Sequence, residues 1–136
     1  MLNKPWPERL KANLQNLSTA EHPAHLAVLG IGHELCGDDA VGTRIAGMLR
    51  ARLPNEPRLL AIEAGPAPEN FTGSLRRYQP DLILMIDAAR LDEAPGTIRW
   101  LDCKEVDGFY GASSMERLPT ERAIKEQTKA FTSIRR

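Results

Sequence analysis

Apolar residues recur along the chain in different rhythms, and each rhythm predicts an element. Near the start, Trp6, Leu10, Leu14 and Leu17 fall three or four positions apart, so a peripheral helix is expected within residues 1–24. His25 to Ile31 is instead a continuous aliphatic run broken by Gly30, which suits a strand buried on both faces. Helical spacing returns from Asp39 to Leu53, with Val41, Ile45, Met48 and Leu49 on one side and Pro54 closing the segment. Arg58 to Glu63 reads as a second strand, and Pro68 to Tyr78 as a helix with Phe71 and Leu75 inward. Asp81 to Ala88 is a third, very apolar strand. Thr97 to Leu101, after the turn signal Ala94-Pro95-Gly96, is a fourth, with an antiparallel edge position as one option. Val106 to Leu118 reads as loop. Thr120 to Phe131 reads as a charged helix, with Ala123, Ile124, Thr128 and Phe131 as its only inward residues and a basic tail behind it.

Strand, helix, strand, helix, strand is the order of an α/β domain with a doubly wound, mostly parallel sheet flanked by helices and joined by right-handed crossovers. With 136 residues the chain forms one such domain, over 25–136, behind the peripheral helix. Lysine plus arginine number 18 and so do the acids, so no basic excess argues for nucleic acid or an anionic membrane surface. Two cysteines, Cys36 and Cys103, are too few for a disulfide framework and fit a reducing compartment, so a cytoplasmic location is expected. The opening segment has no apolar leader core, and no apolar run reaches the roughly 18 residues of a membrane span.

In such a sheet, ligands gather beyond the carboxyl ends of the strands, where successive crossovers diverge. Three features are expected there: the stretch Gly30-Ile-Gly-His-Glu-Leu-Cys-Gly-Asp-Asp-Ala-Val-Gly42, the stretch Glu63-Ala-Gly-Pro-Ala-Pro-Glu69-Asn70, and Asp87. A carboxylate concluding so apolar a strand needs a partner or a metal, because lone charges are costly to bury. Convergence of Asp38 or Asp39 with Asp87 is the geometric expectation. Asp38 also suits a plain helix cap, and one helix needs only one. The glycines lack the third position of a dinucleotide fingerprint, which Leu35 occupies, and no P-loop, His-Glu-x-x-His helix or Gly-x-Ser-x-Gly elbow occurs. What remains is a carboxylate-lined crevice able to take a divalent metal, with His33 and Cys36 as softer donors beside it. The bland readings stand alongside: His33 as a loop residue bonded to backbone, and Cys36 as a small buried one.

These stretches, followed by Leu84-Met-Ile-Asp-Ala88 and Pro95-Gly-Thr-Ile-Arg99, together resemble the hydrogenase maturation endopeptidases, in particular the branch acting on hydrogenase 3-type large subunits. The resemblance covers about residues 25 to 119. It implies a phosphorylase/hydrolase-like α/β fold and removal of the C-terminal extension of a nickel-iron hydrogenase large-subunit precursor. It also implies Asp39 and Asp87 as the catalytic, metal-contacting acids, with nickel supplied by the substrate rather than held permanently. The chain departs from the family pattern at His33, where asparagine is usual. It departs again at the third metal contact, usually a histidine in a Ser-Thr-His-x-Leu-Pro-like segment. Here Gly111-Ala-Ser-Ser-Met-Glu-Arg-Leu-Pro119 offers Met115 or Glu116 there, so Glu116 or His33 is left to replace it. Family members also continue through a helix, a strand and a final helix, whereas this chain reads as shortened at its C-terminus. A missing strand would expose a sheet edge, which makes a homo-oligomer one way to cover it.

Two rival readings belong to other classes. A shortened, non-catalytic relative would hold the nickel-loaded precursor without cutting it. A Rossmann-like nucleotide module ranks below both, because Asp38 and Asp39 beside the turn would repel phosphate.

Overall fold

A computed structural model of the chain describes residues 5–33, 35, 40–89, 94, 96–101 and 130–135. Three of the apolar runs lie side by side as β1 (Leu26–Ile31), β2 (Leu59–Gly65) and β3 (Leu82–Ala89). Two further strands, β4 (Ile98–Leu101) and β5 (Ala130–Arg135), complete a sheet of order β2-β1-β3-β5-β4. β1 runs parallel to β2 and to β3, β3 runs parallel to β5, and β4 is an antiparallel edge against β5. Leu26 stands opposite both Leu59 and Leu82, so the three apolar strands begin in register.

The helices cover the sheet on both sides. The leucines of α1 (Trp6–Leu17) pack with Ile45 and Leu49 of α2 (Val41–Arg52) onto a face made by Val28, Leu82, Leu84, Ile86 and Trp100. On the opposite face, Leu75 of α3 (Thr72–Tyr78) and Phe71 of the preceding 3-10 turn (Pro68–Phe71) meet Ala27, Leu29, Ile83 and Met85. This division follows from strand geometry: β1 and the Leu82 to Ile86 part of β3 carry no polar side chain, so odd and even residues each need a helical layer. α1 stays peripheral, with no buried residue of its own. Its Arg9 guanidinium lies 5.7 Å from the Trp100 ring centroid, a cation–π contact to β4. α3 ends where Gln79 turns left-handed at φ 54° and donates its N–H to the Leu75 carbonyl, and Pro80 then forbids another turn.

The expected helix through Phe131 is not what forms there. Ala130 and Phe131 begin β5, which fills the place between β3 and β4. Residues 120–129 lie outside the described part of the chain. The open ladder of β3 outweighs the faint helical spacing, because unpaired backbone groups beside a buried strand demand a partner and Thr132 and Ile134 favour extended backbone. A strand therefore does follow the Leu118-Pro119 segment, and the sheet does not stop at β3. The loop expected over 106–118 also lies outside the described residues.

Two glycines set the distance between α2 and the sheet. A Cβ on Gly42 would strike the carbonyl oxygens of Ile86 and Ile31 and come within 2.9 Å of the Ile31 nitrogen. A Cβ on Gly30 would strike the Gly42 carbonyl and reach 2.8 Å from the Ala46 Cβ. The obstacles are mostly backbone, so they cannot rotate away. Gly42→Ala is expected to lower stability by about 3 kcal/mol, the upper end of overpacking costs. Gly73→Ala in α3, where the new methyl meets only Arg77 Nη1 at 3.6 Å, is expected to be neutral or to stabilise by about 0.5 kcal/mol. Urea midpoints of the two variants check this, and equal midpoints would show that α2 does not depend on the contact.

Candidate functional site

β1 leads into α2 on one face, and β2 leads through the 3-10 turn into α3 on the other. Between β1 and β3 the crossovers diverge, which makes the carboxyl ends of these strands the crevice of the fold. Asp87 stands there. After five buried residues, Leu82 to Ile86, β3 presents this half-buried carboxylate, followed by buried Ala88. Strand alternation puts Asp87 on the side of Ile83 and Met85, the α3 face, while Ile86 and Gly42 meet on the α2 face.

The exits are tied together by backbone. The Gly32 N–H donates to the Gly65 carbonyl at 2.9 Å, joining the ends of β1 and β2. Both residues have positive φ, 143° and 62°, which a side chain would resist. Buried Thr43 lies 3.4 Å from the carbonyls of both Gly30 and Gly32, anchoring the first turn of α2 to the end of β1. Gly30, Gly32 and Gly42 therefore serve helix-to-strand approach and a tight turn, and the phosphate-cradle reading finds no support in them.

Of the residues singled out from sequence, the structure places Asp87 and His33 at this end of the sheet. His33, one residue beyond Gly32, is exposed. Cys36, Asp38, Asp39, Met115 and Glu116 lie outside the described residues. α2 follows directly on Ala40, which is itself helical at φ -83° and ψ -6°, so the cap expected at Asp38 falls outside the described residues. Glu63 of the second stretch is engaged with Arg50 of α2 at 2.8 Å, a partly exposed pair of small energetic weight, and Gly47 leaves the room its carboxylate occupies. A mostly apolar cleft of about 520 Å³ lies under α1, between Leu10, Leu14, Leu49, Val28 and Leu84. It is a packing seam on the α2 face, separate from the Asp87 crevice.

A second polar cluster went unnoticed in the sequence. His22, His25 and Asp81 lie at the opposite end of the sheet, where β1 and β3 begin, with their ligand atoms within 4.8 Å of one another. The short spacing His22-Pro-Ala-His25 was the available signal; Asp81 joins only because β3 lies beside β1. The His25 ring also meets the Tyr78 ring edge-on at 5.7 Å.

A doubly wound α/β domain with a carboxylate at the switch-point exit is the class this geometry defines. A family model described as phosphoenolpyruvate hydrolase-like matches residues 66–134. That span omits β1 and α2. A provisionally named hydrogenase maturation protease of Methanocaldococcus jannaschii is 33% identical over 106 residues, covering 74% of this chain and 62% of that protein. The hydrogenase 3 maturation protease of Escherichia coli K12 is 30% identical over 83 residues, covering 61% of this chain and 52% of that protein. The crystal structure of the [NiFe] hydrogenase maturation protease HycI from Thermococcus kodakarensis KOD1 superposes with a TM-score of 0.68 at 28% identity, covering 82% of this chain and 74% of that one. In sequence and in fold the chain is similar to the hydrogenase maturation proteases. It spans about half to three-fifths of the length of the two sequence relatives. Among the described residues, no helix is long and apolar enough to cross a membrane.

Tyr78 carries the electrostatic signature of the second cluster. Burial first, then the carboxylates of Glu56 and Asp81, push its phenol above the ordinary value of 10.0. Its hydroxyl donates to the Pro57 carbonyl at 3.0 Å. Because the folded-state value lies above the unfolded one, this group's contribution is whole below about pH 10 and is lost as pH rises through the folded value. Tyr78→Phe should therefore lose less stability than the parent as the pH is raised from 9 past 10. Urea midpoints across that range measure it, and identical slopes would remove Tyr78 as the source.

Proposed function

We propose that the chain is an endopeptidase that removes the C-terminal extension of a nickel-iron hydrogenase large-subunit precursor in the cytoplasm. The observation that carries this reading is Asp87, a half-buried carboxylate at the exit of β3 beside the backbone contact between Ile86 and Gly42. Only Ala40 and Val41 separate Asp39 from that contact in the chain. Similarity to the hydrogenase maturation proteases suggests the substrate class.

In this reading nickel arrives as part of the precursor. The carboxylates of Asp39 and Asp87 approach it, with a third donor from His33 or Glu116. Oxygen donors and one imidazole suit a borderline divalent ion without competing successfully against the precursor's thiolates, so the enzyme reads the metal without taking it. Holding the ion between the two acids orients the peptide that follows it, and orientation alone is a large part of catalysis. The tight Gly32 to Gly65 connection keeps the crevice floor fixed while the peptide is held.

Purified chain mixed with nickel-loaded precursor is expected to shorten it, and metal-free precursor is expected to stay intact. Asp39→Asn and Asp87→Asn should each slow cleavage roughly 100-fold or more, the cost of losing a positioned group. Glu116→Gln and His33→Asn, compared side by side, identify the third donor by which one loses rate. Binding without cleavage by the parent chain would sink the protease reading in favour of a holding role. Unchanged cleavage by both aspartate variants would remove these acids from the mechanism.

A further inference from the structure

We propose that His22, His25 and Asp81 form a binding site for a borderline divalent cation of the zinc class, separate from the Asp87 crevice. Each residue offers a ligand atom, and these atoms lie within 4.8 Å of one another, with His25 Nδ1 3.8 Å from Asp81 Oδ2. A tetrahedral ion at ordinary bond lengths needs its ligand atoms roughly 3.4 Å apart. Small side-chain rotations close the difference.

The backbones that carry these donors are already held. The His25 N–H donates to Asp81 Oδ2 at 2.7 Å, and the Asp81 N–H donates back to the His25 carbonyl at 2.8 Å. The two residues are thereby clamped to each other across the starts of adjacent strands. The loop bearing His22 is tied on both sides. The His22 N–H donates to Thr19 Oγ1 at 3.0 Å, and the Thr19 N–H donates to the His22 carbonyl at 3.0 Å. Ser18 Oγ donates to the Leu14 carbonyl at 2.7 Å and accepts the Ala24 N–H at 2.9 Å, fixing the loop to the end of α1. Little ordering is left for the ion to impose.

The donor set selects the ion class. Two imidazoles and one carboxylate match zinc and its neighbours, whereas magnesium and calcium favour all-oxygen shells. A purely structural role accounts for Asp81 as acceptor of the His25 N–H. It does not account for His22, whose ring sits 5.7 Å from that of His25, tilted by 33°. His22 is exposed and the other two are half-buried, so a coordination position faces solvent. The site also lies far from the proposed chemistry: His25 and Asp81 precede β1 and β3, and Asp87 stands six residues further along, roughly 20 Å of strand.

The test uses the full chain, stripped of metal and carrying Cys36→Ser and Cys103→Ser, titrated calorimetrically with zinc and, in parallel, with magnesium. One zinc per chain should bind, with a rise in thermal midpoint, and magnesium should not compete. His22→Gln and His25→Gln should each weaken zinc binding about tenfold or more and abolish the thermal shift, while Asp87→Asn leaves both intact. Cobalt in place of zinc should give a visible d–d spectrum in the parent that is lost in His22→Gln. His22 is exposed, so its variant folds and decides the matter even where His25→Gln does not. Absence of zinc binding, or binding unaffected by His22→Gln or abolished by Asp87→Asn, would overturn the proposal. None of these readouts depends on precursor cleavage, so the site stands or falls apart from the function proposed above.

Discussion

The structure depends on the close approach of α2 to the strands it crosses. At Gly42 the helix backbone presses against the carbonyls of Ile31 and Ile86, and at Gly30 the strand backbone presses against the helix. Only hydrogen atoms on both Cα positions allow that distance. Several other features follow from it. Thr43 comes within reach of the Gly30 and Gly32 carbonyls, Ile45 and Leu49 reach Val28 and Leu84, and the exit of β3 is brought beside the first turn of a helix. A bulkier pair would lift α2 off the sheet and open the crevice at which Asp87 stands.

The two ends of the sheet then take different chemical characters. At the carboxyl ends, positive-φ glycines and a helix start gather polar backbone and a carboxylate in one crevice. At the amino ends, the first residues of β1 and β3 exchange hydrogen bonds, and imidazoles from the loop after α1 collect around Asp81. Parallel strands produce this separation without further devices, since all their starts lie on one side and all their exits on the other. The two proposed sites are therefore compatible on one small domain, because neither competes for the other's space.

Much of the fold was legible from residue order alone. β1, β2, β3 and α2 each carry enough apolar residues at one period to outweigh alternatives, and β4 was announced by its turn. β5 was misread, because four inward residues at loose helical spacing are weak against a ladder that only the assembled sheet supplies. The place of Asp87 at the exit of β3 was legible, because it ends the aliphatic run from Leu82 to Ile86. The His22, His25 and Asp81 cluster escaped notice because Asp81 is 56 residues from His25 in the chain and reaches it only through the parallel pairing of β1 with β3.

By itself the sequence determined the alternation of strands and helices, the exclusion of phosphate-loop and zinc-helix motifs, and the family the chain resembles. These are local matters, set by period, residue type and motif order. The tertiary structure alone decided why Gly30 and Gly42 must be glycine, on which face Asp87 emerges, and that a strand stands between β3 and β4. Each of these turns on what the backbone meets from a distant part of the chain, and backbone contacts leave no mark in the spacing of side chains.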